Sequence, residues 1–137
     1  MVIGCGRVGS AVAKGLAGDG WDVTVVDESE DALVRLGLNW RGGFVIGHGM
    51  DTKVLEQAGI AETDAAVVAT SGDNTNVVIG QVLQRRYGTR TVVVRVLDPA
   101  RAQFYAQRGL NTVCPTQTAI SVLLETVQAS VPAPQAG

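Results

Sequence analysis

Val2-Ile3-Gly4-Cys5-Gly6-Arg7-Val8-Gly9 is the stretch from which the rest of the chain is read. An apolar pair closes a β-strand, a tight turn follows, and a helix opens behind it. Gly4, Gly6 and Gly9 fall into a G-x-G-x-x-G frame. In such a frame one glycine takes the sharp bend, one lets a pyrophosphate approach the backbone, and one packs the helix onto the strand. The helix N-terminus then offers free N–H groups and a partial positive charge to an anion. Three glycines among the 17 of this chain do not by themselves make a phosphate site. Their surroundings decide.

Those surroundings alternate between strand-like and helical patterns. Val2-Ile3 is a short first strand, and a small-residue helix from about Val8 to Ala17 is stopped by Gly18 and Gly20. Trp21–Asp27 is a β-branched second strand ending on an acid, and Glu28–Leu36 a short helix with Ala32, Leu33 and Leu36 at helical spacing. Gly43–Gly47 makes a third strand, after which Asp51 caps a helix through Leu55 that closes at Gly59. Ala65–Thr70 is a fourth strand without polar alternation, as expected where both faces are covered. The loop Ser71–Asn76, a helix to about Arg86 and a fifth strand Thr91–Val96 follow. Asp98-Pro99 starts a helix that ends at Gly109, with an N-cap oxygen and a proline at the first helical position. Thr112–Cys114 is a sixth strand and Gln117–Val127 a last helix. Such alternation predicts an α/β fold: a doubly wound, Rossmann-like parallel sheet of about six strands with helices on both faces. One domain is expected over residues 1–128, and residues 129–137, ending in the linker-like Val131-Pro132-Ala133-Pro134-Gln135-Ala136-Gly137, as a disordered tail.

The bulk numbers narrow the function. Hydrophobic residues at 46% and charged residues at 18% suit an ordinary globular domain, and a formal charge of −2 lacks the basic excess of a nucleic-acid-binding surface. No apolar run approaches the ~20 residues needed to cross a bilayer. The start of the chain shows no signal segment, so a cytoplasmic location is expected. Cys5 and Cys114 are isolated, with no Cys-x-x-Cys pairing, which suits reduced thiols rather than a disulfide or zinc site. Cys5 reads either as a small residue filling the turn or as a redox-sensitive thiol.

Asp27 ends the second strand 18 residues after Gly9, where a carboxylate accepts bonds from the two hydroxyls of an adenosine ribose. The alternative is a carboxylate that only caps the next helix. Glu28 beside it repels a 2′-phosphate, so a nucleotide with a free ribose is expected. Arg7 stands at the mouth of the phosphate turn, where its charge opposes the helix dipole unless a phosphate partners it. The loop from Thr70 to Asn76 leaves the fourth strand at the switch point where ligands bind such sheets; its Ser, Asp and Asn residues serve as helix caps or as ribose and phosphate contacts. Arg95, a charge in an apolar strand, needs an anionic partner, either a carboxylate such as Asp98 or the ligand. With one histidine, His48, no Ser/His/Asp or Cys/His arrangement can be assembled, which points to a binding module rather than an enzyme.

Gly4-Cys5-Gly6-Arg7-Val8-Gly9, Val25-Val26-Asp27, Val54–Ile60, Thr63-Asp64-Ala65, Thr70–Asn76 and Arg95–Pro99 occur in this order. Together they resemble the N-terminal RCK or KTN (TrkA-N) domain of Trk/Ktr-type potassium-uptake regulatory proteins, over the chain to about Val127. The resemblance implies a cytosolic regulatory subunit that binds one adenine nucleotide, NAD(H) or ATP/ADP, and gates a membrane potassium transporter at the inner face of the cell membrane. It implies homodimers, stacked in many members into an octameric ring, and no nucleic-acid partner. It places cofactor contacts at Gly4, Cys5, Gly6, Arg7, Val8, Gly9, Asp27, Glu28, His48, Gly49, Thr70, Ser71, Gly72, Asp73, Asn76 and Arg95. Within that set the glycine turn and Arg7 hold phosphate, Asp27 holds ribose, and Thr70 and Asp73 line the pocket. The pair Gly47-His48 departs from the Gly-Asp of many members, whose acid lies near the adenine. Where some relatives have Ser-Pro-Glu, whose Glu binds a divalent cation at the dimer interface, this chain has Cys114-Pro115-Thr116; no metal residue is carried over. Two other readings stand beside it: a fragment of an NAD-dependent oxidoreductase lacking its substrate domain, and a scaffold whose pocket has lost its ligand.

Overall fold

The computed structural model describes residues 1–136. Its strands, all parallel, form one sheet in the order β3-β2-β1-β4-β5-β6. They are β1 (Val2–Ile3), β2 (Thr24–Asp27), β3 (Gly43–Ile46), β4 (Ala65–Val68), β5 (Thr91–Arg95) and β6 (Asn111–Val113). The helices are α1 (Arg7–Gly18), α2 (Leu33–Leu36), α3 (Thr52–Gln57), α4 (Asp73–Arg85), α5 (Pro99–Ala106) and α6 (Pro115–Ser130). This is the expected doubly wound sheet. The chain winds outward from β1 to β3, returns through α3, and winds outward again from β4 to β6, so the order reverses between β1 and β4.

Short as it is, β1 feeds both cores, because successive side chains of a strand point to opposite faces. Val2 lies opposite Val25 and Val67, and Ile3 opposite Val26 and Val68. Val2 then packs with Val25, Ala13, Ala32 and Leu36 under α1 and α2. Ile3 packs with Val26, Val68, Leu55, Ile79 and Val94 under α3 and α4. Backbone bonds continue the pairing past both ends of β1: Val67 N–H donates to Met1 O at 3.0 Å, Ala69 N–H to Ile3 O at 2.8 Å, and Gly4 N–H to Val26 O at 2.8 Å.

The turn after β1 depends on two glycines. Gly4 has φ +97°, and a Cβ there would stand 2.6 Å from the Ala69 carbonyl. A Cβ on Gly9 would stand 1.7 Å from Gly4 O, so α1 approaches the strand end more closely than any side chain allows.

Element limits move where local geometry overrides periodicity. The stretch Glu28–Leu36 is not one helix: a 3-10 turn over Glu30–Ala32 precedes the single turn of α2. With three residues per turn in its first part, the phase shifts, and Leu33 is 40% exposed while Ala32 and Leu36 are buried. The fourth strand ends at Val68 and α4 starts at Asp73, so Asp73–Asn76 form a helical turn instead of a loop. Helix α6 outruns the expected Gln117–Val127 at both ends. Cys114 Sγ accepts from Gln117 N–H and Pro115 occupies the first turn; residues 129 and 130, expected in the tail, lie in the helix. Among the described residues no helix is long and apolar enough to cross a membrane.

Gly9→Ala should lower stability by about 3 kcal/mol or more, at or above the usual overpacking range because the clash is with backbone. Gly15→Ala in the same helix, where a Cβ meets nothing within 4 Å, should raise it by about 0.5–1 kcal/mol. Chemical denaturation of both variants measures this; a stable Gly9→Ala contradicts the packing described.

Candidate functional site

A cleft of about 610 Å³ opens where the strand order reverses, at the carboxyl ends of β1, β2 and β4. That volume lies in the 300–1,000 Å³ range of small-molecule sites. Its three walls come from the glycine turn, the segment after β2 with the β3–α3 loop, and the β4–α4 connection with the end of β5.

On the first wall, Gly6 is the N-cap of α1, and a Cβ there would meet nothing within 4 Å; its backbone stands open to the cleft. No side chain caps α1 and its first turn holds no acid. The free N–H groups and the positive end of the helix dipole are left for a ligand. Arg7 begins the helix, lines the cleft and is exposed. Among the described residues no carboxylate pairs with it. Cys5 and Val8 also line this wall, whereas Gly9 is packed against Gly4 and lies outside it.

On the second wall, Asp27 binds both sides of the turn. Cys5 N–H donates to its Oδ2 at 2.7 Å and Ser29 N–H to its Oδ1 at 2.9 Å. Asp27 thus braces the turn without capping the next helix, whose N-cap Ser29 has no side-chain cap bond, and each of its oxygens keeps a lone-pair direction for a further donor. Glu28 sits beside it, with Oε1 3.7 Å from His48 Nε2 in an exposed pair. Exposed pairs of this kind contribute little. His48 Nδ1 accepts from Met50 N–H at 3.0 Å, and Gly47 and Gly49 complete the wall. Arg35 also lines the cleft, with Nη1 donating to Cys5 O at 3.4 Å. Sequence reasoning missed it, because the 3-10 turn ahead of α2 breaks the spacing that would have placed it.

The third wall holds Thr70, Ser71, Gly72, Thr75 and Arg95; Thr75 was also missed. Asp73 and Asn76, expected as ligand contacts, do not reach it. They stand on the first turn of α4, which directs Asp73 to the β5–α5 segment, where its oxygens accept Leu97 N–H at 2.8 Å and Asp98 N–H at 3.1 Å. Asn76 is turned inward and 0% exposed. Asp98, offered as a partner for Arg95, instead caps α5 by accepting from Arg101 N–H at 3.3 Å. Arg95 Nη2 donates to Thr70 O at 2.6 Å, and its Nε is buried without a partner. Among the described residues no carboxylate pairs with Arg95.

Chemically, the cleft sets the guanidinium groups of Arg7, Arg35 and Arg95 and an uncapped helix N-terminus against the carboxylates of Asp27 and Glu28. That suits a ligand with a polyanionic part near the turn and hydroxyls near Asp27. Cys5 contributes packing: its thiol is buried and donates to Ala32 O at 3.4 Å. Burial, and after it the Asp27 charge, push its pKa above the ordinary thiol value. Among the described residues no group of three or more His, Cys, Asp or Glu side chains could hold a metal ion.

A family model described as the TrkA-N domain matches residues 1–116. The "Trk system potassium uptake protein TrkA" of Streptomyces coelicolor is 40% identical over 113 residues, covering 82% of this chain and 51% of that protein. The "Trk system potassium uptake protein TrkA homolog" of Methanothermobacter thermautotrophicus is 31% identical over 124 residues, 90% of this chain and 57% of that protein. The chain thus spans about half the length of these curated relatives. Among solved structures, the TrkA-N domain of the inner membrane protein ybaL from Escherichia coli superposes with a TM-score of 0.80 at 16% identity, covering 91% of this chain and 93% of that one. GsuK bound to ADP gives 0.79 at 21%, covering 95% and 34%. The Shewanella denitrificans Kef CTD in its AMP-bound form gives 0.77 at 20%, covering 96% and 81%. At these identities the structural likeness concerns the fold.

Iodoacetamide at pH 8 should modify the half-buried Cys114 and leave Cys5 unmodified in the folded protein, since only the thiolate attacks and Cys5 is both sealed and raised in pKa. Peptide mapping reads the result; equal labelling of the two contradicts it.

Proposed function

The chain belongs to the TrkA-N domain family, and on that premise we propose that it is the nucleotide-binding regulatory domain of a potassium uptake system. The single observation that carries the reading is the cleft at the β1/β4 reversal, where the open glycine turn, Asp27 and arginines without carboxylate partners among the described residues converge. The ligand is one adenine nucleotide, NAD(H) or ATP/ADP. Its phosphates rest on the N-terminus of α1 and beside Arg7, and its ribose on Asp27. The names of the relatives, and the ADP- and AMP-bound forms of two structural neighbours, support the class of ligand and process.

The domain works by binding, without catalysis of its own. Two ligands that occupy the cleft with different affinity in two conformations shift the balance between them, and the shift equals that difference in affinity. The output is a membrane potassium transporter at the cytoplasmic face, reached through a homodimer or a larger ring. The chemistry of the cleft supports discrimination by phosphate number: each added phosphate gains from Arg7 and the helix dipole, whereas a nicotinamide riboside, cationic in NAD and neutral in NADH, does not.

Isothermal titration of the protein with ATP, ADP, NAD and NADH should show binding of at least one; no binding of any overturns the proposal. Asp27→Ala should weaken the bound nucleotide about tenfold or more, as expected for losing hydrogen bonds to a charged group. Arg7→Ala should weaken ATP more than AMP; an equal loss for both contradicts a role at the terminal phosphates.

A further inference from the structure

Asn76 does not line the cleft, yet it ties together the elements that form the third wall. It is fully buried. Its Oδ1 accepts from Thr70 N–H at 2.9 Å and from the Thr70 hydroxyl at 2.5 Å. Its Nδ2 donates to Thr70 O at 3.1 Å and to Arg95 O at 3.0 Å. Both donors and the acceptor are used. One side chain on the first turn of α4 thereby fixes the backbone just past β4 and the last residue of β5 to each other.

Arg95 depends on that arrangement twice. Its own carbonyl is held by Asn76, and its guanidinium is held by Thr70 O, which Asn76 also holds. No carboxylate among the described residues neutralises it, and its Nε is buried unpaired. Its charge is therefore incompletely compensated at the cleft, where the low local dielectric raises its value to an anion. Without Asn76 the Thr70 carbonyl would be free to turn, and the arginine would lose its fixed direction.

We infer that Asn76 is a positioning residue for anion recognition, acting through Thr70 and Arg95 to aim the Arg95 guanidinium at the phosphate part of the ligand. This rests on the proposed function, in which the cleft takes an adenine nucleotide. A merely structural asparagine would lower stability and weaken every cleft ligand alike. A positioning asparagine weakens phosphate-bearing ligands selectively and has no effect once Arg95 is gone.

The test is a double-mutant cycle on the whole chain, with ADP and adenosine as probes, each measured below the melting midpoint of the variant used. Asn76→Ser and Arg95→Ala should each weaken ADP about tenfold, the low end for a hydrogen bond to a charged group, and leave adenosine affinity unchanged. The double variant should bind ADP no more weakly than Arg95→Ala alone. Additive losses, equal loss of adenosine affinity, or wild-type ADP affinity in a folded Asn76→Ser overturn the inference. If the variants fail to fold, the wild-type side-chain amide resonances of Asn76 answer the same question. They should shift with ADP and not with adenosine, and resonances that stay still under both overturn the inference. Failure of the wild-type protein to bind any adenine nucleotide instead removes the underlying functional reading, so the two failures are told apart.

Discussion

The contact between Gly9 and the Gly4 carbonyl governs the geometry of this protein. A single methyl group would lie 1.7 Å from that oxygen. Because it is missing, α1 can start directly above the end of β1, at the middle of the sheet. The same close approach leaves the first turn of α1 facing the carboxyl ends of the strands, at the point where the winding reverses. The cleft exists there because helices leave β1 and β4 in opposite directions. The first N–H groups of α1 stay free for an anion because no side chain caps the helix.

Around that contact, polar groups are divided between those that build the cleft and those left to act in it. Asp27 does both, bracing the turn through Cys5 N–H and Ser29 N–H while standing at the wall. Asp73, Asn76 and Asp98 are spent on the α4 and α5 starts. Arg7 and Arg95 are left without carboxylates among the described residues. Net charge says little here: the chain totals −2, yet its cleft holds more guanidinium groups than carboxylates.

Most of the sheet and the heart of the cleft were legible from residues. Gly4 and Gly9 declare themselves because only glycine meets their backbone and packing demands, and Gly6 falls into the frame they set. Asp27 declares itself because a strand end lies at a fixed distance from the turn. The less legible parts depend on where a helix begins. Starting α4 at Asp73 instead of after Asn76 turns two expected ligand contacts into braces and brings Thr75 to the cleft. A 3-10 turn before α2 exposes Leu33 and places Arg35 on the wall. Hydrophobic periodicity records neither: the start of α4 is tied by polar bonds to Arg95, Leu97 and Asp98, and the 3-10 turn by the local bond from Ala32 N–H to Ser29 O.

On the proposed function this cleft, and no other surface, receives an adenine nucleotide. Mapping backbone amide shifts during titration with ADP tests it most directly. The largest shifts should fall on Gly4–Gly9, Asp27–Ser29 and Thr70–Thr75. Shifts gathered instead around Trp21 and Trp40, which line a separate depression with Lys14 and Arg41, would contradict it.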